Sequence, residues 1–217
     1  YAGLGMRLHD LLLTADGKQI LASHTYWNDA TSCATLRVVI ADFKTQNAVP
    51  EIGAWRQVFE SKPCLGFSGY KPKPFAGHQA GGRMVERGNG KILLTIGDFK
   101  NDGVKRDVSV SDANVDYGKI HEIDLATATS RVFTVGHRNP QGLMIADNGN
   151  IWSTEHGPVG GDEITGHARK IPVDTPSRLE VVVGHAPDGF ASPAGLDTGD
   201  VHHRRVVSSE EGASRNP

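Results

Sequence analysis

One segment recurs three times along this chain and limits what it can fold into. Leu11-Leu-Leu-Thr-Ala-Asp-Gly-Lys-Gln-Ile-Leu-Ala, Met84-Val-Glu-Arg-Gly-Asn-Gly-Lys-Ile-Leu-Leu-Thr and Leu143-Met-Ile-Ala-Asp-Asn-Gly-Asn-Ile-Trp-Ser-Thr share one grammar. Each reads as a short apolar strand, an Asp-Gly or Asn-Gly turn, and a second apolar strand. Asn-Gly and Asp-Gly supply the positive φ angles that tight hairpins demand. Gly17, Gly90 and Gly149 therefore mark three hairpins, 73 and 59 residues apart. Further strands are expected between them. Leu36-Arg-Val-Val-Ile-Ala-Asp-Phe pairs with Ala54-Trp-Arg-Gln-Val-Phe, and Lys119-Ile-His-Glu-Ile-Asp-Leu pairs with Arg131-Val-Phe-Thr-Val. No amphipathic helix of ten or more residues is legible before Ile164.

The repeating unit is thus hairpin after hairpin, four strands in all. Repeated four-stranded units with glycine turns point to a β-propeller. A β-sandwich is the competing arrangement, and recurrence of one hairpin at long spacing favours the propeller. The chain supplies about two blades and the start of a third, whereas propellers close with roughly four to eight. We therefore expect an all-β fold, a partial propeller of two to three blades over residues 1–164. Residues 165–217 form an atypical tail with a single aromatic, Phe190, and no blade pattern.

The bulk numbers exclude some classes of function. At 217 residues and a net charge of -2, nothing marks a nucleic acid or anionic membrane as partner. No run approaches the ~18 apolar residues of a membrane span. The chain opens on Tyr1 without a basic-then-apolar leader, so a removed signal peptide and a fragment both remain open. Cys33 and Cys64 permit one disulfide closing about thirty residues, or two separate buried thiols. Export of the protein would favour the bridge.

The chemistry sits in turns. Gly136-His137-Arg138-Asn139-Pro140-Gln141-Gly142-Leu143 is followed by Thr154-Glu-His-Gly-Pro-Val-Gly-Gly-Asp-Glu-Ile. Arg138, Asn139 and Gln141 offer fixed donors, Gly157-Pro158 leaves two carbonyls with little bulk around them, and Asp162-Glu163 adds two carboxylates. The structural alternatives are a turn capped by Asn139 before Pro140 and an exposed acidic turn at 162–163.

These two blocks closely resemble the soluble quinoprotein glucose/sorbosone dehydrogenases, also called aldose sugar dehydrogenases. Gly77-His78-Gln79-Ala80-Gly81-Gly82-Arg83 resembles an upstream histidine motif of that family, and Thr95-Ile-Gly-Asp98 also fits. The resemblance covers roughly residues 6–164. It implies a six-bladed propeller with pyrroloquinoline quinone (PQQ) over a calcium ion on its axis, and C1 oxidation of an aldose substrate to the lactone. Electrons would leave to an external acceptor. By motif, His78 would be the base and Arg138 would contact quinone and substrate oxygens. Asn139 and Gln141 would place the cofactor. The carbonyls of Gly157 and Pro158 would bind calcium, with Asp162 in support and Glu163 at a position that serves a structural calcium in some members. A periplasmic or secreted location is expected.

General chemistry agrees. A neutral imidazole, pKa near 6.5, is available as base near neutral pH. Hydride transfer needs an electron sink that no side chain supplies. Calcium accepts backbone carbonyl ligands, and arginine gives a planar fork of donors.

The chain also departs from the family. The interval Gln79-Ala80-Gly81-Gly82 between histidine and arginine is one residue longer than in many members. Asp-Glu-Ile runs into Thr165-Gly-His-Ala-Arg instead of an Asn-Tyr-Gly-Trp-Pro segment, and the later blades are absent. We expect a partial or frame-disrupted gene product, foreign in sequence beyond about Ile164. The first rival reading is a non-catalytic propeller that binds carbohydrate or protein. A calcium-dependent hydrolase would want a carboxylate cage, and none precedes Asp162. Asp98-Phe-Lys-Asn-Asp-Gly-Val fails as an EF-hand, since Lys100 and Ser109 occupy ligand positions. We expect a loop over the propeller face there. His121 is expected to be structural, His202-His203 to carry no function, and Gly66-Phe-Ser-Gly is no nucleophile elbow.

Overall fold

The computed structural model describes residues 7–66, 77–101, 110–157 and 162–167. All regular structure among them is strand, in three antiparallel sheets. The first sheet holds β1 (Leu8–Leu13), β2 (Gln19–Asn28), β3 (Cys33–Gln46), β4 (Val49–Ile52), β5 (Arg56–Glu60) and β6 (Leu65–Gly66). The second is an up-and-down meander, β7 (Gly81–Gly88), β8 (Lys91–Ile96), β9 (Lys119–Asp124) and β10 (Ser130–Val135). The third is β11 (Pro140–Ile145), β12 (Ile151–Glu155) and β13 (Glu163–His167). Strand β7 packs between β1 and β11, so the innermost strands of the sheets lie side by side. This is the propeller arrangement that the repeated hairpins imply, present as two full sheets and most of a third.

The three hairpins form where the glycines predict them, with different turns. Asn89 and Gly90 both have positive φ, 53° and 68°, which makes the tight two-residue turn between β7 and β8. Gly17 and Gly149 also have positive φ, but they close wider loops, bonded from Thr14 to Gln19 and from Ala146 to Asn150. The extra length is stabilised locally. Asp16 accepts from Thr14 Oγ1 and the Lys18 amide, and Asn148 accepts from the Asn150 amide.

Strand β8 shows how the layers are held. Ile92, Leu94 and Ile96 alternate with Leu93, and all four are fully buried. The first set faces the first sheet, meeting Leu36, Val38, Ile40, Val58 and Phe59 in the larger core. Leu93 faces the other way, with Ile120, Phe133, Leu143 and Ile151. A strand buried on both faces reads as a continuous apolar run, which Lys91-Ile-Leu-Leu-Thr-Ile does. His121, on β9, is buried against Phe59, and its Nε2 bonds the Asp116 carbonyl at 3.2 Å.

The long strand β3 has three partners on one edge: β6 at Cys33–Ala34, β5 at 37–40 and β4 at 43–46. Cys33 and Cys64 are joined in a disulfide with Cα atoms 5.6 Å apart, which ties the entry of β3 to the segment before β6. Closing a loop of 31 residues restricts the unfolded chain by about 3–4 kcal/mol in the chain-entropy account. No helix among the described residues is long and apolar enough to cross a membrane. Strand β13 runs through position 164, where the tail was expected to begin. The rest of the tail, with Phe190 and His202-His203, lies outside the described residues, as do Pro158 and Phe67-Ser68-Gly69.

Candidate functional site

The two turn blocks of the sequence meet at one end of the third sheet. Arg138 and Asn139 lie in the turn entering β11, and Gln141 is the second residue of that strand. Gly157 follows β12, and Asp162 precedes β13, which opens on Glu163. Antiparallel pairing sets Pro140 opposite Glu155 and Glu155 opposite Glu163. Residues distant in sequence therefore converge on a cleft of about 430 Å³, lined by Gln141, Thr154, Glu155, His156, Asp162 and Glu163 among others. That volume suits a small-molecule ligand.

A reciprocal clasp holds the two blocks together. The Glu155 carboxylate is buried and accepts from the Arg138 amide at 2.8 Å and the Asn139 amide at 3.4 Å. Its other oxygen lies 3.2 Å from His137 Nδ1, and His137 Nε2 lies 2.8 Å from Thr134 Oγ1. In return, Arg138 Nη1 donates to the carbonyls of His156 at 3.1 Å and Gly157 at 2.9 Å. Burial opposes ionisation of Glu155, but the bonds from His137 and the two amides outweigh it and hold its pKa below the usual range. Glu163 is pushed the other way, first by its own burial and then by the Glu155 charge.

At the rim, His156 bridges the blocks. Its Nε2 is 3.1 Å from Gln141 Oε1 and its Nδ1 is 3.4 Å from Asp162 Oδ1, which also accepts from the Gly157 amide at 3.2 Å. Behind the clasp, His167 packs its ring 5.6 Å from that of His137 and shares a 2.9 Å bond with Ser153 Oγ. Burial, then the nearby His137, lowers the His167 pKa to about 4.

His78 is placed by a different device. It sits exposed in the turn before β7 and is not among the residues lining the cleft. The end of β8 connects it to Arg138 through main chain alone. The Phe99 amide donates to the Gln79 carbonyl at 3.0 Å, and the Asp98 amide donates to the Arg138 carbonyl at 2.8 Å. One dipeptide thus braces the His78 turn and the Arg138 turn. The approach is so close that a Cβ on Gly97 would come within 1.9 Å of the Gln79 carbonyl oxygen, so only glycine fits there. What burial His78 has, together with the cations Lys100 and Arg7, holds its imidazole below the ordinary histidine range. It is therefore neutral, and able to take a proton, near pH 7.

The donor chemistry fits a hard cation beside an oxygen-rich organic group. The Gly157 carbonyl has a second lone pair after bonding Arg138, and Asp162, whose carboxylate accepts from the Gly157 amide, lines the cleft together with Glu163. Asn139 Oδ1 is buried with no hydrogen-bond partner among the described residues, an arrangement that costs about 1–3 kcal/mol unless something else meets it. No group of three or more His, Cys, Asp or Glu side chains placed to hold a metal occurs among the described residues, so carbonyls would have to supply part of any such shell.

Glu155, His137, His156 and His167 were not singled out from sequence. Their signal was adjacency: His137 abuts Arg138, and Glu155-His156 leads directly into Gly157-Pro158. Their pairing across the sheet was not visible.

Comparison with known proteins bears on the family and the fold. A family model described as Glucose / Sorbosone dehydrogenase matches residues 8–169. Aldose sugar dehydrogenase YliI of Escherichia coli (strain K12) is 32% identical over 102 residues, 43% of this chain and 28% of that protein. Quinoprotein glucose dehydrogenase B of Acinetobacter calcoaceticus is 30% identical over 112 residues, 40% and 23% of the respective chains. Among solved structures, a glucose dehydrogenase superposes with a TM-score of 0.57 at 21% identity, over 76% of this chain and 48% of its own. A putative oxidoreductase (glucose dehydrogenase) from Thermus thermophilus gives 0.54 at 22% identity, over 87% and 56%. At such identities the structures speak for the fold, an all-β propeller type. The chain spans about a quarter of the length of the curated relatives and about half of the solved chains. By the extent of the family match, the chain belongs to the glucose/sorbosone dehydrogenase family.

Proposed function

We propose that this chain carries part of a PQQ- and calcium-dependent site that oxidises an aldose at C1 to its lactone, with electrons passing to an external acceptor. The observation that carries the reading is the clasp between Arg138–Asn139 and Glu155–Gly157, with a buried Asn139 amide oxygen that has no partner among the described residues. Arg138, Asn139 and Gln141 would hold the quinone. The Gly157 carbonyl, with Pro158 next in the chain, would ligate calcium, aided by Asp162, and Glu163 would serve a structural calcium. Bound there, the quinone would supply the two-electron sink that no side chain offers.

The protein's own residues do the rest. A ring nitrogen of His78 takes the proton of the C1 hydroxyl as the C1 hydrogen departs with its electron pair, leaving the lactone carbonyl. Partial burial, then Lys100 and Arg7, favours the unprotonated ring beforehand. The Arg138 guanidinium offers donors to oxygens that gain negative charge. The main-chain brace through Asp98 and Phe99 fixes the spacing between base and guanidinium. A periplasmic or secreted setting is part of this proposal, supported by the Cys33–Cys64 disulfide, since such bridges persist in oxidising compartments.

The test is reconstitution with PQQ and Ca2+, addition of glucose, and dye reduction as the readout. His78→Ala should lower the rate by about 100-fold or more while leaving the unfolding midpoint nearly unchanged, because the side chain is exposed. Full activity in that variant would remove His78 as the base. Absence of PQQ binding and of dye reduction would favour a non-catalytic propeller that binds carbohydrate or protein.

A further inference from the structure

We propose that Glu155 is a positioning residue for this site, holding the Arg138–Asn139 peptide and, through the Arg138 guanidinium, the orientation of the Gly157 carbonyl. The geometry forms a closed circuit. The Glu155 carboxylate receives the Arg138 and Asn139 amides, and the Arg138 side chain returns to the His156 and Gly157 carbonyls, one and two residues beyond Glu155. Each block thereby fixes the other. Arg138 cannot swing its guanidinium away without freeing Gly157, and the Arg138 amide cannot turn without leaving a buried carboxylate short of a donor.

His137 completes the coordination. It occupies the remaining carboxylate oxygen while Thr134 holds its far nitrogen, so Glu155 has partners on both oxygens and cannot rotate freely. The charge matters as well as the shape. A glutamine in this place would carry one acceptor oxygen and one NH2, and the NH2 would face either the two amides or the histidine. Facing the amides, the NH2 would open that side; facing the histidine, it would leave the amides a neutral acceptor in place of a charged one, roughly half as strong. Glu155 also lines the cleft, so the clasp lies directly behind the ligand space. The consequence for cofactor affinity rests on the PQQ and calcium reading above; the clasp itself does not.

The experiment has two readouts on Glu155→Gln. In the protein without added ligand, amide exchange at Arg138 and Asn139 should accelerate by about tenfold, the effect of exchanging a charged acceptor for a neutral one. In titrations with PQQ plus Ca2+, followed by tryptophan fluorescence, affinity should weaken by about 10- to 100-fold, the range for outer partners of a liganding group. At saturating cofactor the glucose KM should stay within about threefold. Glu155→Asp keeps the charge with a shorter reach and should fall between parent and Gln; it carries the test if the Gln variant does not accumulate. Ser153→Ala, on the same strand but bonded to His167, is the control for general destabilisation.

Unchanged exchange at Arg138 and Asn139 would overturn the proposal. So would equal loss of PQQ affinity in Ser153→Ala, which would make the effect merely structural. Faster exchange with unaltered PQQ affinity would overturn the cofactor part. If the parent protein binds neither PQQ nor Ca2+, the functional reading fails, and the clasp stands or falls on exchange alone.

Discussion

Two interfaces flank the second sheet, and they are built from different materials. Toward the first sheet, β8 and β9 present Ile92, Leu94, Ile96 and Ile123 to an aliphatic layer that includes Leu36, Val38 and Ile40. Toward the third sheet, the aliphatic cluster is smaller, and it grades into Thr134, His137, Ser153, Glu155 and His167. The first interface gains from burial, which is non-directional and nearly indifferent to pH. The second depends on protonation states and aimed hydrogen bonds, which are costly when unmade. The candidate site lies at the end of the polar interface. The difference teaches that one side of the meander carries stability and the other supplies directed groups at some expense to it.

This contrast can be broken by experiment. The largest effect is expected for Leu94→Ala, which deletes a fully buried side chain from the aliphatic layer. It should cost about 3–4 kcal/mol by urea unfolding, and equally at pH 7 and pH 5. A cost that changed with pH would contradict the assignment. Replacing Cys33 and Cys64 together by serine should remove a similar or slightly smaller amount, read as a lower midpoint that matches the reduced parent protein.

The next effect belongs to the polar interface and depends on pH. His167 has a pKa lowered from 6.5 to about 4 in the fold. Its unfolded form therefore binds a proton first as pH falls. The stability it contributes is intact above pH 6.5 and is lost progressively down to about pH 4, by roughly 3 kcal/mol at most. His167→Asn should flatten stability between these limits. An unchanged pH profile would show that the ring is solvated. The first interface is not silent either: burial holds His121, against Phe59, below the ordinary histidine range, and His9 is lowered to about 4 by burial and then by Arg7 and His24. His9 is only partly buried, and His9→Asn should flatten the same window by less. The smallest effect is expected at β4, exposed along its whole length, where the Lys44–Glu51 pair spans 2.8 Å on the surface. Lys44→Ala should move stability by less than about 0.5 kcal/mol.

Much of this was legible in the sequence. Asn89-Gly90 announces its turn because both residues tolerate positive φ, and Lys91-Ile-Leu-Leu-Thr-Ile announces a strand buried on both faces. The Asp98 segment was expected over the propeller face; residues 102–109 of it lie outside the described residues, and the use of the Asp98 and Phe99 amides as a brace was hidden. Main-chain bonds leave no trace in side-chain identity, except where glycine is required, as at Gly97. The division of β3 among three partners was also hidden, because pairing along one edge is set by connection geometry. Cys33 and Cys64 were ambiguous for the same reason: a bridge needs proximity, which spacing does not provide. Glu155 was missed because its partners lie 16 to 18 residues upstream, and only strand register brings them to it.

The brace at the end of β8 has a bearing on how such a protein can change over generations. It joins the turns of His78 and Arg138 through peptide N–H and C=O groups, which every amino acid but proline carries. The link itself uses no side chain, so it holds provided Gly97 stays and no proline enters at 98 or 99, while Phe99 is kept by its burial in the core. A mutational library spread over residues 95–101 should therefore lose function sharply for every replacement at position 97 and, at Asp98, for proline above all. The relative placement of the two turns would outlast most of the residues around them.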